Sequence, residues 1–390
     1  MAELASTICW NTNSLIAKSI PQSLRLQLDR RSFSDIPLQL QHSHPLREFL
    51  RLFSSQFNIP VLHAHERGAL SIDMVYRRFD KYISLRLDRL HNLTGVYAYE
   101  DCALATFEAA KKRKLCCFYD LPIGYWRAAQ LLFSEESELQ PLWASTLTGL
   151  KDSDHKLSRK DQELALADVV IVPSNFVRNT LETFNASSAL IKVIPFGSPL
   201  VPTLSKTCSH DGPLRVLYVG SLGQRKGLSY ALDAIDILGS QVKLTLIGKR
   251  PVLDCVPLNL ALDKHHWIES LPHDQILEQM ACHDILLLPS LFEGYALVIS
   301  EALSRGLPVI TTPNSGATET VRDGIEGFIV PIRDVDAIAD RLQILIDDRA
   351  RLALMSHYCL QRAADLSWSM YEDSISTIVQ ENLCLSALSE

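Results

Sequence analysis

Several signatures are missing from this 390-residue chain, and each absence removes a class of protein. Its nine cysteines are scattered, only Cys116 and Cys117 are adjacent, and no C-x-x-C pair or Cys/His cluster occurs. That pattern indicates neither structural zinc nor a disulfide framework, and it fits a reducing cytosol. No apolar run reaches the roughly 20 residues needed to span a bilayer, and the start MAELASTICWN does not read as a signal peptide. There is no G-x-G-x-x-G dinucleotide fingerprint and no G-x-x-x-x-G-K-[ST] phosphate loop. No internal repeat is apparent. A net charge of -7 argues against non-specific nucleic-acid binding as the main role. Two sequons, at Asn92 and Asn185, are short enough to arise by chance and carry no weight.

What remains is a globular composition, 47% hydrophobic and 21% charged, long enough for two domains. Helical patterns alternate with short apolar strands, which predicts an α/β fold with parallel, doubly wound sheets. Strand-like runs are expected at Ser6 to Trp10, Pro60 to His63, Gly95 to Tyr99, Leu115 to Tyr119, Val169 to Val172 and Ile191 to Ile194. Pro45 to Phe57 reads as a helix with Leu46, Phe49, Leu50 and Phe53 on one face. Residues 1–197 are expected to form one Rossmann-like domain, 198–213 a linker, 214–365 a second such domain, and 366–390 a closing helix. A doubly wound domain usually opens with a strand, a Gly-containing loop and a helix, and nothing before Trp10 supplies that set. The expectation is a first domain that begins late.

Chemistry concentrates in two stretches of the second half. Asp284 to Pro331 reads as strand, loop, helix, strand, turn and strand, with Ile285 to Leu288 continuously apolar, as in a strand buried on both faces. Its loop holds Glu293 and Gly294 and leads into a helix carrying Glu301. Open α/β sheets bind ligands at the carboxyl ends of their strands, and a helix start suits phosphate. Eight helical residues would set the two carboxylates about 12 Å apart, the reach from a sugar across a diphosphate to a ribose. The second stretch, RVLYVGSLGQRKG, is a strand to Val219 followed by a turn with Gly220, Gly223 and Gly227. Arg225 and Lys226 beside that turn would form, with the two-carboxylate loop, a diphosphate clamp able to stabilise a leaving group without a metal.

As an ordered set these motifs resemble retaining glycosyltransferase family 4, of the GT-B fold. The set comprises Gly220 with Arg225, Lys226 and Gly227; Leu246-Ile247-Gly248; Asp284 to Ser290 (DILLLPS); Glu293, Gly294, Glu301 and Ala302; Gly306 to Val309; and Gly324 with Gly327 to Pro331. Ala167 to Ser174 (ADVVIVPS) matches in the first half. The resemblance implies two Rossmann-like domains facing across a cleft. Arg225 and Lys226 would hold a nucleotide diphosphate, Glu293 the donor-sugar hydroxyls and Glu301 the ribose. Gly220, Ser221 and Gly248 would line the donor site, with backbone N–H groups from Gly294, Tyr295, Ala296 and Leu297. Relatives often carry arginine directly after the first glycine, where this chain has Ser221.

The first half departs further from the family. Relatives place a histidine after a strand near the reacting sugar; here Asp120 takes that position. His63, His65 and Glu66 form the alternative, and Glu100, Asp101 and Tyr125 are further acceptor-side candidates, with Asp101 equally readable as a helix N-cap. His63 and His65 would share a face of an extended strand, which alone is weak support for a metal, so no metal is expected. Asp152-Ser153-Asp154 spells the D-x-D metal motif of the other main glycosyltransferase fold, but in a polar break between helices, where a solvated loop is expected. The basic run Lys111 to Lys114 is the candidate contact for a peripheral membrane association, a solvated helix end being the plainer reading. The reading is a cytoplasmic, metal-independent, retaining glycosyltransferase. It would need no cofactor and would take a nucleotide-diphosphate sugar and a glycan, lipid or small-molecule acceptor. A GT-B sugar-nucleotide epimerase would turn over without acceptor, and a non-catalytic sugar-nucleotide-binding protein would not turn over at all.

Overall fold

The computed structural model describes residues 3–12, 20, 22–55, 57, 59–202 and 212–388. Residues 203–211 of the expected linker lie outside them. Contacts divide the chain into two compact units, Met1–Asp120 with Asp152–Val170 and Leu383–Glu390, and Leu121–Lys151 with Ile171–Asn382. This division falls elsewhere than near residue 197 and groups 121–151 and 171–197 with 214–365.

In the first unit, β1 (Leu4–Ser6) pairs in parallel with β2 (Gln41–Ser43). The opening strand thus lies earlier than Ser6 to Trp10, in a sheet of its own. β3 (Gly95–Tyr99) and β4 (Cys116–Asp120) are parallel, in register from Gly95 with Cys116 to Tyr99 with Asp120. β5 (Val169–Val172) runs across the boundary between the units, and β6 (Leu190–Val193) falls in the second. Pro60–His63 is a helical turn rather than a strand. Pro60 takes the first helical position, where its missing N–H removes no helical hydrogen bond. The Lys111 to Lys114 run closes the Leu104–Lys112 helix: Lys111 pairs with Asp168 at 2.6 Å and Arg113 donates to the carbonyls of Leu87 and Leu90.

The second unit holds a six-stranded, wholly parallel sheet. In chain order its strands are β7 (Leu214–Val219), β8 (Val242–Ile247), β9 (His266–Ile268), β10 (Ile285–Leu288), β11 (Val309–Thr311) and β12 (Gly327–Ile329). They lie side by side as β12-β11-β10-β7-β8-β9. All four residues of β10 are fully buried, as a continuously apolar central strand requires. The chain winds outward from β7 through β8 to β9, then returns to β7's other edge with β10. That reversal leaves a crevice at the carboxyl ends of β7 and β10, where doubly wound sheets bind ligands. Among the described residues no helix is long and apolar enough to cross a membrane.

Candidate functional site

The residues after β7 and β10 meet because these strands are neighbours, paired at Val216 with Ile285 and Leu217 with Leu286. After β7, Gly220 to Gly223 turn the chain into a short 3-10 segment, Gln224–Lys226, which ends at Gly227. Gly227 has φ of +68°, and a Cβ there would lie 2.0 Å from the Pro289 oxygen, so only glycine lets the turn lie against the β10 loop. Behind it, a Cβ on Gly248 would sit 1.7 Å from the Gly220 oxygen. Close backbone approach thus fixes both glycines at the end of the sheet.

The ionic centre follows from this placement. Glu293 Oε1 lies 2.7 Å from Arg225 Nη1 and 2.6 Å from Lys226 Nζ, so one carboxylate holds both cations. Burial alone would raise the Glu293 pKa, but Lys226 and Arg225 outweigh it and hold the carboxyl below its ordinary range. Burial pulls the Lys226 ammonium below the usual lysine range, opposed by Glu293. The loop is locked to the turn by backbone bonds: the Arg225 carbonyl accepts from Leu291 N–H (2.9 Å) and Phe292 N–H (3.3 Å). Asn314 Nδ2 donates to the Leu291 carbonyl, while Glu293 N–H donates to the Asn314 carbonyl.

The other donor-side residues separate into different roles. Ser221 is exposed and its carbonyl accepts from Gly223 N–H, leaving Arg225 as the guanidinium beside Lys226. The expected free N–H at Ala296 is taken by the Ser315 carbonyl at 2.9 Å. The Tyr295 side chain is buried, its hydroxyl donating to the Phe196 carbonyl and accepting from Thr320, and burial pushes its pKa up to about 12. It braces the loop. Leu297–Ser304 begins directly after, and in its first turn the Ile299 N–H donates to the Ala296 carbonyl at 2.8 Å. Glu301 lies within that helix, 3.0 Å from His273 Nε2.

One buried carboxylate escaped sequence reasoning. Glu136 is fully buried and accepts from Gln224 Nε2 (2.7 Å), Tyr230 Oη (2.8 Å) and Arg333 Nε (2.7 Å). Gln224 N–H also donates to Thr146 Oγ1 at 2.9 Å, so the 3-10 turn is held by a second set of bonds besides those of Glu293. No local motif marks Glu136; only the fold brings it to Gln224. Ser174 caps its helix as expected, accepting from Val177 N–H, and its hydroxyl also donates to the Gly294 carbonyl at 2.6 Å.

The family model described as glycosyl transferases group 1 matches residues 205–362. A D-inositol 3-phosphate glycosyltransferase of Corynebacterium urealyticum is 35% identical over 296 residues, covering 63% of this chain and 67% of that protein. The chain belongs to the group 1 glycosyltransferases. A glycogen synthase of Mycobacterium tuberculosis is 29% identical over 167 residues, 41% of this chain and 40% of its own length, so the chain spans less than half of that relative. Sucrose-phosphate synthase of Thermosynechococcus elongatus superposes with a TM-score of 0.63 at 17% identity, covering 83% of this chain and 82% of that one. HepE of Anabaena, solved with UDP, gives 0.59 at 18% identity over 87% and 91%. The fold of this group 1 glycosyltransferase is GT-B.

The acceptor-side candidates are less open than their sequence suggests. Asp120 ends β4 with 2% exposure and accepts from Tyr97 Oη at 2.5 Å; burial, partly offset by that bond, raises its pKa to about 6. Glu100 pairs with Lys160 at 2.9 Å, and burial outweighs that pairing to raise its pKa to about 7. Asp101 has φ of +68° and is not the N-cap of Leu104–Lys112, whose capping position falls at Ala103. The cap comes instead from distant carboxylates. Glu163 accepts from the N–H groups of Asp101, Ala103 and Leu104, and Asp80 from those of Ala105 and Thr106. In the second unit, Tyr125 is only 4% exposed and packs with Trp126 and Phe184, so it offers no open surface.

His63 turns to Ser54 Oγ at 3.0 Å, whereas His65 Nε2 lies 2.8 Å from Asp152. The helical turn at Pro60–His63 removes the shared strand face expected for the two histidines. The D-x-D segment is an ordered helix start rather than a solvated loop, with Ser153 capping Asp154–Leu166. His65, Glu66 and Asp152 offer ligand atoms within 4.8 Å of one another. Their charge is already met internally: Lys156 Nζ lies 3.1 Å from Asp152, and Ser153 donates to both Glu66 oxygens.

Proposed function

We propose that this chain transfers a sugar from a nucleotide-diphosphate donor to a hydroxyl acceptor, with retention of anomeric configuration and without a metal. The observation that carries the reading is the Glu293, Arg225 and Lys226 centre at the carboxyl ends of adjacent strands. A diphosphate entering that crevice competes with Glu293 for the two cations. The guanidinium forks onto two phosphate oxygens, while the ammonium acts as a point charge. Both stabilise the negative charge that grows on the diphosphate as the glycosidic bond breaks. Glu293, released from the cations, accepts hydrogen bonds from donor-sugar hydroxyls. Glu136, through Gln224, keeps the turn from relaxing when that exchange occurs. Retention comes from the family resemblance, and the solved relatives HepE with UDP and glucose and GtfA with UDP and GlcNAc support a nucleotide-sugar donor. The acceptor is a glycan, a lipid or a small molecule.

The test is nucleotide release from a panel of donors, with and without acceptors, in the wild type and in Lys226→Ala and Glu293→Ala. Transfer should fall by about 10²–10³ in each variant with the fold retained, the loss typical of removing one group that stabilises developing charge. Unchanged activity in both folded variants overturns the assignment. Conversion of the donor to its epimer without acceptor and without net nucleotide release would instead identify an epimerase. Retention is checked by NMR of the product anomer, and metal independence by activity in excess chelator.

A further inference from the structure

The Leu46–Ser55 helix is packed inside out. Its apolar residues Leu46, Phe49, Leu50 and Phe53 recur at the spacing of one helical stripe, which in a water-soluble protein faces the core. Here that stripe faces solvent. Together with Phe57 and Val61, these six side chains are between 38% and 79% exposed. The Phe53 and Phe57 rings lie 5.1 Å apart, so the surface continues beyond the helix end.

The opposite face explains how the helix is held this way. Glu48 is only 3% exposed and is paired with Arg31 at 2.8 Å and Arg51 at 2.7 Å. Buried Ser54 bonds His63, and Leu52 alone joins the small apolar cluster with Leu24 and Leu28. A buried ion pair and a hydroxyl thus replace the usual apolar anchor, and the outward orientation is fixed by satisfied polar groups rather than by default.

We infer that this face seats in the interface of an anionic lipid bilayer, the helix lying parallel to the membrane plane. The argument for lipid rests on charge as well as apolarity. The only carboxylate between residues 44 and 61 is Glu48, which is buried and neutralised by Arg31 and Arg51, while Arg47 on the same helix pairs with no carboxylate of that stretch. Residues 1–90 contain 12 Lys and Arg against eight Asp and Glu, a net of +4, whereas the other 300 residues carry -11. The apolar face therefore belongs to the positively charged stretch of the sequence, the combination that draws an amphipathic helix onto anionic headgroups. The basic run Lys111 to Lys114, a candidate lipid contact whose plainer reading is a solvated helix end, has its Lys111 and Arg113 committed internally.

The experiment is co-sedimentation of the full chain with vesicles of phosphatidylcholine alone and of equimolar phosphatidylcholine and phosphatidylglycerol. The wild type is expected to sediment with the mixed vesicles, weakly with phosphatidylcholine, and less as salt is raised. Phe49→Ser with Phe53→Ser should lower the partition coefficient by about tenfold or more while leaving the circular dichroism spectrum unchanged. Should that double variant fail to fold, Leu46→Gln and the salt titration of the wild type carry the same test. Absence of wild-type binding to the mixed vesicles overturns the inference. So does binding that the substitutions do not weaken, or equal binding to both compositions. A concentration-dependent dimer abolished by the same substitutions, without vesicle binding, would assign the face to a second copy of the chain.

Discussion

At the carboxyl edge of the six-stranded sheet, charge sits on the rim of a mainly apolar layer. Around the Leu104–Lys112 helix, charge lies inside the structure. β10 is buried through all four residues, and the three ions of the site gather just beyond its end. In the first unit, Asp80, Lys156, Lys160 and Glu163 are each less than 10% exposed, while seven large apolar side chains of residues 46–61 face solvent. Both regions alternate helix and strand, yet one is held by apolar burial and the other by carboxylates that serve as remote helix caps. A buried ion contributes stability only while all its partners remain, so the charged arrangement should tolerate substitution less than the apolar one.

Removing a node of the charged layer gives the sharpest break. Glu163→Ala would strand three N–H groups and leave Arg159 without one of its two carboxylates. A loss of about 3–5 kcal/mol is expected, read by urea unfolding; a change below about 1 kcal/mol would show that the cap is ornamental. Next in size is a dependence on pH. Because burial raises Asp120 to about 6 from an ordinary 3.8, its contribution to stability is complete below pH 4 and is lost as pH rises through 6. Asp120→Asn should therefore gain stability relative to the wild type across that window, by up to about 3 kcal/mol. Parallel melting curves of the two proteins from pH 4 to 7 would refute it. The smallest effect concerns the rim. Glu293→Gln should abolish most transfer yet bind free UDP about three- to tenfold more tightly in calorimetry, because the competing carboxylate has gone. Weaker UDP binding would mean that Glu293 organises the cations instead of competing for them.

The contrast also explains what could be read before the structure. The Ile285 to Leu288 run, the glycines of the turn and the Arg225-Lys226 pair are local signals, and each maps directly onto burial or backbone geometry. Their order along the chain therefore pointed to the ionic centre at the carboxyl ends of β7 and β10. Glu136, Glu163 and Asp80 carry no such mark, since their function depends on partners 25 to 197 positions away in the chain. Asp101 was legible as a cap only under the assumption that caps are local, and a remote carboxylate had taken that place. Pro60 to His63 was ambiguous because a four-residue apolar run suits either a strand or a helical turn; proline at its first position decides for the turn. The stripe at Leu46, Phe49, Leu50 and Phe53 had the right period, but period does not say which side of the helix faces inward.

The adjacency of β7 and β10 has a thermodynamic consequence. The two cations and their carboxylate belong to segments that meet only after the chain has wound through β8 and β9 and back. An unfolded chain, or one in which β10 has not docked, has no composite cation pocket for a diphosphate. Nucleotide would then bind the native state alone, and every tenfold excess over its dissociation constant would add about 1.4 kcal/mol to the resistance of this unit to unfolding. Substrate supply and the lifetime of the fold would be linked through a single strand pairing.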